Sequence, residues 1–266
     1  MHPTVSVIIP TFNRKTLVAE AIASVRSQTY TDYEVIVVDD GSSDGTVAYL
    51  GSLNLPVQIL EQQNSGVASA RNLGIKASLG RLIAFLDSDD LWLPDKLQTQ
   101  VTYLQTHPEM GLVYCDEYIT DGGKDSGKTR FSINPPRHKL SLPAFVDLAP
   151  IHTSAVMIRK SVLDEIGPFN EALEIHEDSD LWNRVSEKYD LGFIEKPLVT
   201  FRWEMDSIHL MRPDKRDRFI NAGKKYLEAY KAARQARGLS TIEREAIAKS
   251  YEIIADMERA ASLIAS

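Results

Sequence analysis

Apolar and polar positions along the first hundred residues fall into blocks that read alternately as strand and helix. Residues 5–9 form a short, nearly continuous apolar run stopped by Pro10, as expected of a strand buried on both faces. Leu17, Val18, Ala21, Ile22 and Val25 then share one face of a helix. Residues 34–38 make a second strand, closed by Asp39-Asp40-Gly41-Ser42-Ser43-Asp44-Gly45, a stretch of turn and cap residues before a helix from Thr46. A third strand covers 57–60. Asn64-Ser65-Gly66 opens a helix to about Ser78, with Gly80 as its stop. Residues 81–86 are the fourth strand and 95–107 the next helix. Such alternation predicts an α/β fold, a mostly parallel central sheet flanked by helices.

Past residue 110 the pattern loosens. Residues 111–118 read as a strand, and 120–139 as a polar, Gly- and Pro-containing excursion without periodicity. A short strand is expected over 154–158. A helix starting at Val162-Leu163 ends at Gly167-Pro168, a second covers 177–187, and 191–201 returns as strand. From Arg216 to Ser266 the chain is helical, broken at Gly238-Leu239-Ser240-Thr241. There is no internal repeat and no low-complexity linker. The expected organisation is one α/β domain over 1–210 and a helical extension over 211–266.

Composition narrows the class. With 43% apolar and 25% charged residues among 266, this is an ordinary globular chain. Its one cysteine, Cys115, precludes an internal disulfide, offers no zinc site and points to a reducing compartment. No apolar run approaches the roughly 20 residues that span a bilayer. Met1-His2-Pro3-Thr4 opens no signal peptide, so a cytoplasmic chain is expected. The net charge of −7 is uneven: residues 196–237 carry eleven Lys/Arg against five Asp/Glu, leaving −13 for the remainder. A basic stripe of this kind steers anions, touches an anionic membrane face, or is simply the solvated side of helices. The pI near 5.4 and the lack of any recognition motif argue against nucleic acid.

The candidate chemistry centres on Asp87-Ser88-Asp89-Asp90, directly behind the apolar run that ends at Leu86. Ligands of open α/β sheets bind at the carboxyl ends of strands. Adjacent carboxylates there repel one another unless a cation sits between them, and oxygen ligands suit Mg²⁺ or Mn²⁺. The same acids can also cap the helix that begins near Pro94. Their place behind a buried strand favours the metal.

Five segments together resemble the family 2 inverting glycosyltransferases of GT-A fold. They are residues 7–14 (Val-Ile-Ile-Pro-Thr-Phe-Asn-Arg), 37–46 (Val-Val-Asp-Asp-Gly-Ser-Ser-Asp-Gly-Thr), 64–72 (Asn-Ser-Gly-Val-Ala-Ser-Ala-Arg-Asn), 85–90 (Phe-Leu-Asp-Ser-Asp-Asp) and 177–182 (Glu-Asp-Ser-Asp-Leu-Trp). The resemblance covers roughly residues 4–205; each piece alone is weak, while five in this order and spacing are specific. It implies a nucleotide-sugar-binding half over 1–110 and an acceptor-binding half over 111–210. It also implies transfer of a sugar from a nucleotide-diphosphate donor, a UDP-sugar above all, to a saccharide, lipid-linked or protein acceptor in polysaccharide or glycoconjugate assembly.

Carried over position by position, the resemblance assigns roles. Pro10, Thr11 and Phe12 lie along the donor, with Phe12 stacked on the base or else part of the core. Asp40 accepts a hydrogen bond from the base, unless it is a turn acid like Asp39 and Asp44. Arg71 bridges the base-binding acid and the donor phosphates. Asp87 partners the ribose or stands behind the metal's direct ligands, Ser88 lies along the donor, and Asp89 binds Mn²⁺ or Mg²⁺ directly, with the metal taking up charge on the departing diphosphate. Asp90 is read as the cap of the following turn. Asp178, at the head of a helix, is the general base, with Glu177 next in line; Trp182 and Arg184 line the acceptor site, unless Trp182 belongs to the core. His152 lies beside the site or is structural, and His209 is a candidate partner of the metal or phosphates.

A sugar nucleotidyltransferase would want a glycine-rich basic loop after its first strand, and residues 10–14 contain no glycine. A non-catalytic scaffold of the same fold would have signalled itself by loss of Asp89 or Asp178, and both are present. In the extension, Phe219, Ile220, Tyr226, Leu227 and Tyr230, then Ile247, Tyr251, Ile254 and Met257, recur at helical spacing. That stripe must be covered by the catalytic domain, by a second subunit of a homodimer, or by peripheral contact with a membrane.

Overall fold

The computed structural model describes residues 2–121, 124–133, 135–136, 151–203, 213–234, 238–241, 244–245, 247–248, 250–252 and 254–255. The first half follows the apolar blocks. Strand β1 (Val5–Thr11), helix α1 (Lys15–Arg26), β2 (Tyr33–Asp39), α2 (Thr46–Ser52), β3 (Gln58–Glu61), α3 (Val67–Ala77) and β4 (Leu82–Phe85) succeed one another. Next come the short β5 (Leu91–Trp92), α4 (Lys96–Thr106), β6 (Met110–Asp121), β7 (Lys124–Thr129) and α5 (Arg130–Ile133). A single 3₁₀ turn (Thr153–Ala155) precedes β8 (Val156–Arg159), α6 (Lys160–Ile166), α7 (Glu177–Lys188), β9 (Asp190–Trp203) and α8 (Pro213–Arg234).

One sheet runs in the order β3-β2-β1-β4-β8-β6-β9-β5, with β7 hydrogen-bonded to the far part of β6. The strands β1 to β4 are parallel, β8 is antiparallel to both of its neighbours, and β6 is parallel to β9. Every residue of β1 and β4 is buried, as a central strand covered by helices requires. Helix α1 turns Val18, Ala21, Ile22 and Val25 into that core. Helix α3 comes so close that a Cβ on Gly74 would stand 2.5 Å from Ile8 Cγ2.

One expectation changes and another narrows. The segment 120–139, read as irregular, continues β6 and folds into the β6–β7 pairing and α5; residues 137–150 lie outside the described residues. Its strands are held by backbone pairing at the rim of the sheet, where Ser126, Gly127 and Lys128 are exposed, so no apolar period marks them. In the extension, Ile220, Tyr226, Leu227 and Tyr230 of α8 form a second buried cluster with Ile247 and Ile254, packed against Leu173. Asn183 Nδ2 of α7 donates to the Tyr226 hydroxyl at 2.7 Å, and Arg234 pairs with Glu187. The chain itself thus covers the described part of the stripe; Phe219 and Met257 lie outside the residues whose side chains are described.

Candidate active site

The parallel register sets the site. Thr11 stands opposite Asp39, so β1 and β2 end level, while β4 ends at Phe85 opposite Ile8, three residues sooner; all three run the same way, and their following loops meet over one edge of the sheet. The first two loops are knitted together. Asn13, at φ 51°, donates its N–H to Ser42 Oγ and accepts from Ser43 N–H, both at 2.8 Å. Gly41 sits at φ +80°, where a Cβ would approach Asn64 N to 2.8 Å, so this turn needs glycine. Asp39 caps the turn by accepting from Ser42 N–H, and Asp44 opens α2 by accepting from Thr46 N–H. Asp40 differs from both. It accepts from Gln62 Nε2 (2.7 Å), Ser65 N–H (2.8 Å) and Gly66 N–H (2.9 Å), which seats the start of α3 against the β2 loop.

Arg71 is buried in α3 and forks between two acids. Its Nη2 lies 2.7 Å from Asp87 Oδ1 and its Nη1 2.6 Å from Glu177 Oε1, with the guanidinium 5.2 Å from the Phe169 ring centre. Burial opposes its charge, but Asp87 and Glu177 outweigh that and raise its pKa above the ordinary value. Burial likewise pushes the Asp87 carboxyl up, while Arg71 and His152 more than reverse this and hold it below the usual range. Glu177 goes the other way, raised to about 7 by burial and by Asp178 beside it. The expected link from Arg71 to Asp40 is replaced by this one, because the side chain points along the sheet edge towards α7.

Beyond Asp87 the chain turns back, Asp90 N–H donating to Asp87 O at 3.0 Å. Asp90 caps nothing. It is buried, accepts from Ser154 Oγ (2.6 Å) and Arg202 N–H (3.1 Å), and burial raises its pKa to about 7. The Ser154 hydroxyl also accepts from Asp87 N–H at 3.0 Å. His152 Nε2 faces both acids, 3.9 Å from Asp87 and 3.7 Å from Asp90. Its Nδ1–H donates to Glu117 Oε2 at 2.9 Å. Burial disfavours the imidazolium, yet Glu117 and Asp90 overcome it and raise His152 to about 9.

Ligand atoms of Asp87, Asp90 and His152 lie within 4.8 Å of one another, the one such group among the described residues. Two carboxylates and an imidazole whose second nitrogen is pinned by Glu117 make a donor set that fits a divalent cation. The oxygens suit Mg²⁺ or Mn²⁺, and the imidazole leans towards Mn²⁺. Asp89 is engaged by the Arg14 guanidinium, and its carbonyl accepts from Arg202.

A cleft of about 580 Å³ collects Pro10, Thr11, Phe12, Asp40, Arg71, Asp87, Ser88 and Asp89 from the expected set. Phe12 is 45% exposed at its edge, free of the core and open to a planar ligand. Arg14, Asp90, His152, Glu174 and Phe201 are among the other residues that line it. Asp178 is not among the lining residues; it sits in the first turn of α7 and accepts from Ser179 N–H at 2.6 Å. Trp182 is fully buried, donating to Ile151 O, and Arg184 binds Asp180 and the carbonyls of residues 166–168; both are structural. His209 lies outside the described residues. Sequence reasoning missed Glu117, whose signal was the acid pair Asp116-Glu117 inside a strand that begins as an apolar run.

Comparison with known proteins gives these likenesses a name. The Glycosyl transferase family 2 profile matches residues 6–167. An "Uncharacterized glycosyltransferase" of Rickettsia felis is 34% identical over 222 residues, 81% of this chain and 36% of the relative. WfaP of Escherichia coli, a UDP-Glc:α-D-GlcNAc-diphosphoundecaprenol β-1,3-glucosyltransferase, is 32% identical over 187 residues, 69% of this chain and 70% of WfaP. This chain spans about a third of the length of the first rickettsial relatives. Among solved structures, the mannosyltransferase PcManGT of Pyrobaculum calidifontis, in complex with GDP-Man and Mn²⁺, has a TM-score of 0.66 at 18% identity. The match covers 99% of this chain and 76% of that one, and speaks for a shared fold.

Proposed function

The chain belongs to glycosyl transferase family 2, and on that premise we propose that it moves a sugar from a UDP-sugar to an acceptor hydroxyl, with inversion at the anomeric carbon. The observation that carries this reading is the Arg71 fork, which ties Asp87, in the cleft at the strand ends, to Glu177, beside the base candidate on α7. One buried cation thereby spaces the donor end of the site from its acceptor end.

The residues divide the work as follows. Phe12 and Asp40 hold the base of the donor, and Thr11 and Ser88 line its path. Asp87, Asp90 and His152, with Asp89 alongside, hold a divalent cation, which when bound neutralises charge on the diphosphate. Arg14 faces the same end of the cleft and gives the leaving group a second positive neighbour. Asp178 removes the acceptor hydroxyl proton as that oxygen attacks the anomeric carbon opposite the diphosphate. Glu177 is not free to do so, because its carboxylate is committed to Arg71. The acceptor we propose is a lipid-linked saccharide at the inner face of the membrane, the class named for WfaP. Among the described residues no helix is long and apolar enough to cross a membrane, so the chain would reach such an acceptor from the surface.

Purified protein screened against UDP- and GDP-sugars with Mn²⁺, reading thermal shift and nucleotide release, tests the reading. UDP-sugars should stabilise the protein and release UDP slowly, and Asp178→Asn should keep the stabilisation while release falls. Stabilisation by donors with no turnover towards water or any acceptor would mean a non-catalytic nucleotide-sugar-binding protein instead.

A further inference from the structure

We propose that Glu117 is a positioning residue that holds His152 as the nitrogen ligand of the divalent cation, an inference that rests on the proposed function above. Glu117 lies on β6, is fully buried, and does not line the cleft, so it can act there only through another side chain. Its two oxygens are divided between two cationic partners. Oε2 accepts from His152 Nδ1–H at 2.9 Å, and Oε1 accepts from Arg130 Nε–H at 2.6 Å. The imidazole is fixed at both ends of its plane, since Phe201 meets it edge-on with ring centres 4.7 Å apart. With Nδ1–H held by Glu117, Nε2 is the nitrogen turned towards Asp87 and Asp90, and a cation bound there would displace the proton that Nε2 carries in the free protein.

A carboxylate behind a ligating histidine sets its tautomer, fixes the ring and raises its basicity; losing it typically costs about 10–100-fold in metal affinity. Arg130 explains why the acid is Glu rather than Gln. An amide has one acceptor oxygen, and two buried N–H donors compete for it. The amide would either abandon Arg130 or turn its own NH₂ towards His152, forcing the other tautomer.

The test measures bound Mn²⁺ by electron paramagnetic resonance, titrating Mn²⁺ into the full chain with saturating UDP. Glu117→Gln should weaken Mn²⁺ binding about 10–100-fold, with UDP affinity in EDTA unchanged. Made in a His152→Ala background, the same substitution should cost less than twofold more, because its effect runs through the imidazole. If Glu117→Gln does not fold, the Glu117→Leu/Arg130→Met pair, which removes the anion and its cation together and leaves His152 Nδ1–H no acceptor there, carries the same cycle. Equal Mn²⁺ affinity for wild type and Glu117→Gln, or an undiminished loss in the His152→Ala background, overturns the proposal and leaves the proposed function standing. A wild-type chain that binds no Mn²⁺ with UDP overturns it together with the metal reading of the site.

Discussion

Replacing Arg71 by Met removes the one cation between a half-buried carboxylate, Asp87, and a buried one, Glu177, while keeping most of the side-chain volume. Arg71 is 3% exposed, and its two ion pairs are 2.6 and 2.7 Å long. Breaking a buried pair by deleting one partner costs about 3–5 kcal/mol, because the remaining charge is left uncompensated. The variant has an escape, which is to protonate Asp87. From an ordinary value near 3.9, that costs about 1.4 kcal/mol per pH unit, or ~4 kcal/mol at pH 7 and ~1.5 kcal/mol at pH 5. The sign follows from the folded-state values. In the wild type Asp87 is held low, so its contribution is present above its unfolded pKa and is lost only as pH falls through the lower folded value. Without Arg71 the folded pKa of Asp87 rises above the unfolded one, and stability is then lost as pH rises. Glu177, already at about 7, moves further in the same direction. Urea unfolding in EDTA should therefore show a deficit of about 3–5 kcal/mol at pH 7 that shrinks by about 2 kcal/mol at pH 5. A deficit under 1 kcal/mol, or one equal at both pH values, would refute this account of the fork.

His176 is buried and lowered to about 4 by burial, against the pull of Asp178, so the wild type should lose stability as pH falls from 6.5 towards 4, by at most ~3 kcal/mol. His176→Asn, which tolerates the left-handed backbone at φ 69°, should flatten that loss in urea midpoints taken across the window. Gly74→Ala should cost about 1–3 kcal/mol by driving a methyl into Ile8, seen as a lower Tm with UDP affinity retained. Asp178→Asn should lower kcat by about 10²–10⁴ while calorimetry finds donor affinity within twofold of wild type.

The central strands were legible because they are buried on both faces, so their apolar runs are continuous and end where the loops of the site begin. Asp87 and Asp89 could be placed at a strand end for the same reason. The β6–β7 pairing could not, since polar side chains at a sheet rim leave only backbone hydrogen bonds to define it. Arg71 was assigned the wrong neighbour. Its partners lie 16 and 106 residues away, and only the packing of α7 across the sheet edge brings Glu177 to it. Asp90 reads as a cap in sequence because nothing local announces its partners; in the structure it is buried and accepts from the Ser154 hydroxyl instead. Glu117 and His152 meet through the pairing of β6 with β8, which no local pattern announces.

The measurement that bears most directly on the central claim is the anomeric configuration of the product. The protein is incubated with UDP-α-D-glucose, Mn²⁺ and a GlcNAc-diphospholipid acceptor, and the new glycosidic linkage is read by proton NMR while UDP is quantified. A β-linked product formed one-for-one with UDP, and absent with Asp178→Asn, is what a single displacement at this cleft predicts. An α-linked product, or UDP release that is no faster with the acceptor than without it, would contradict it.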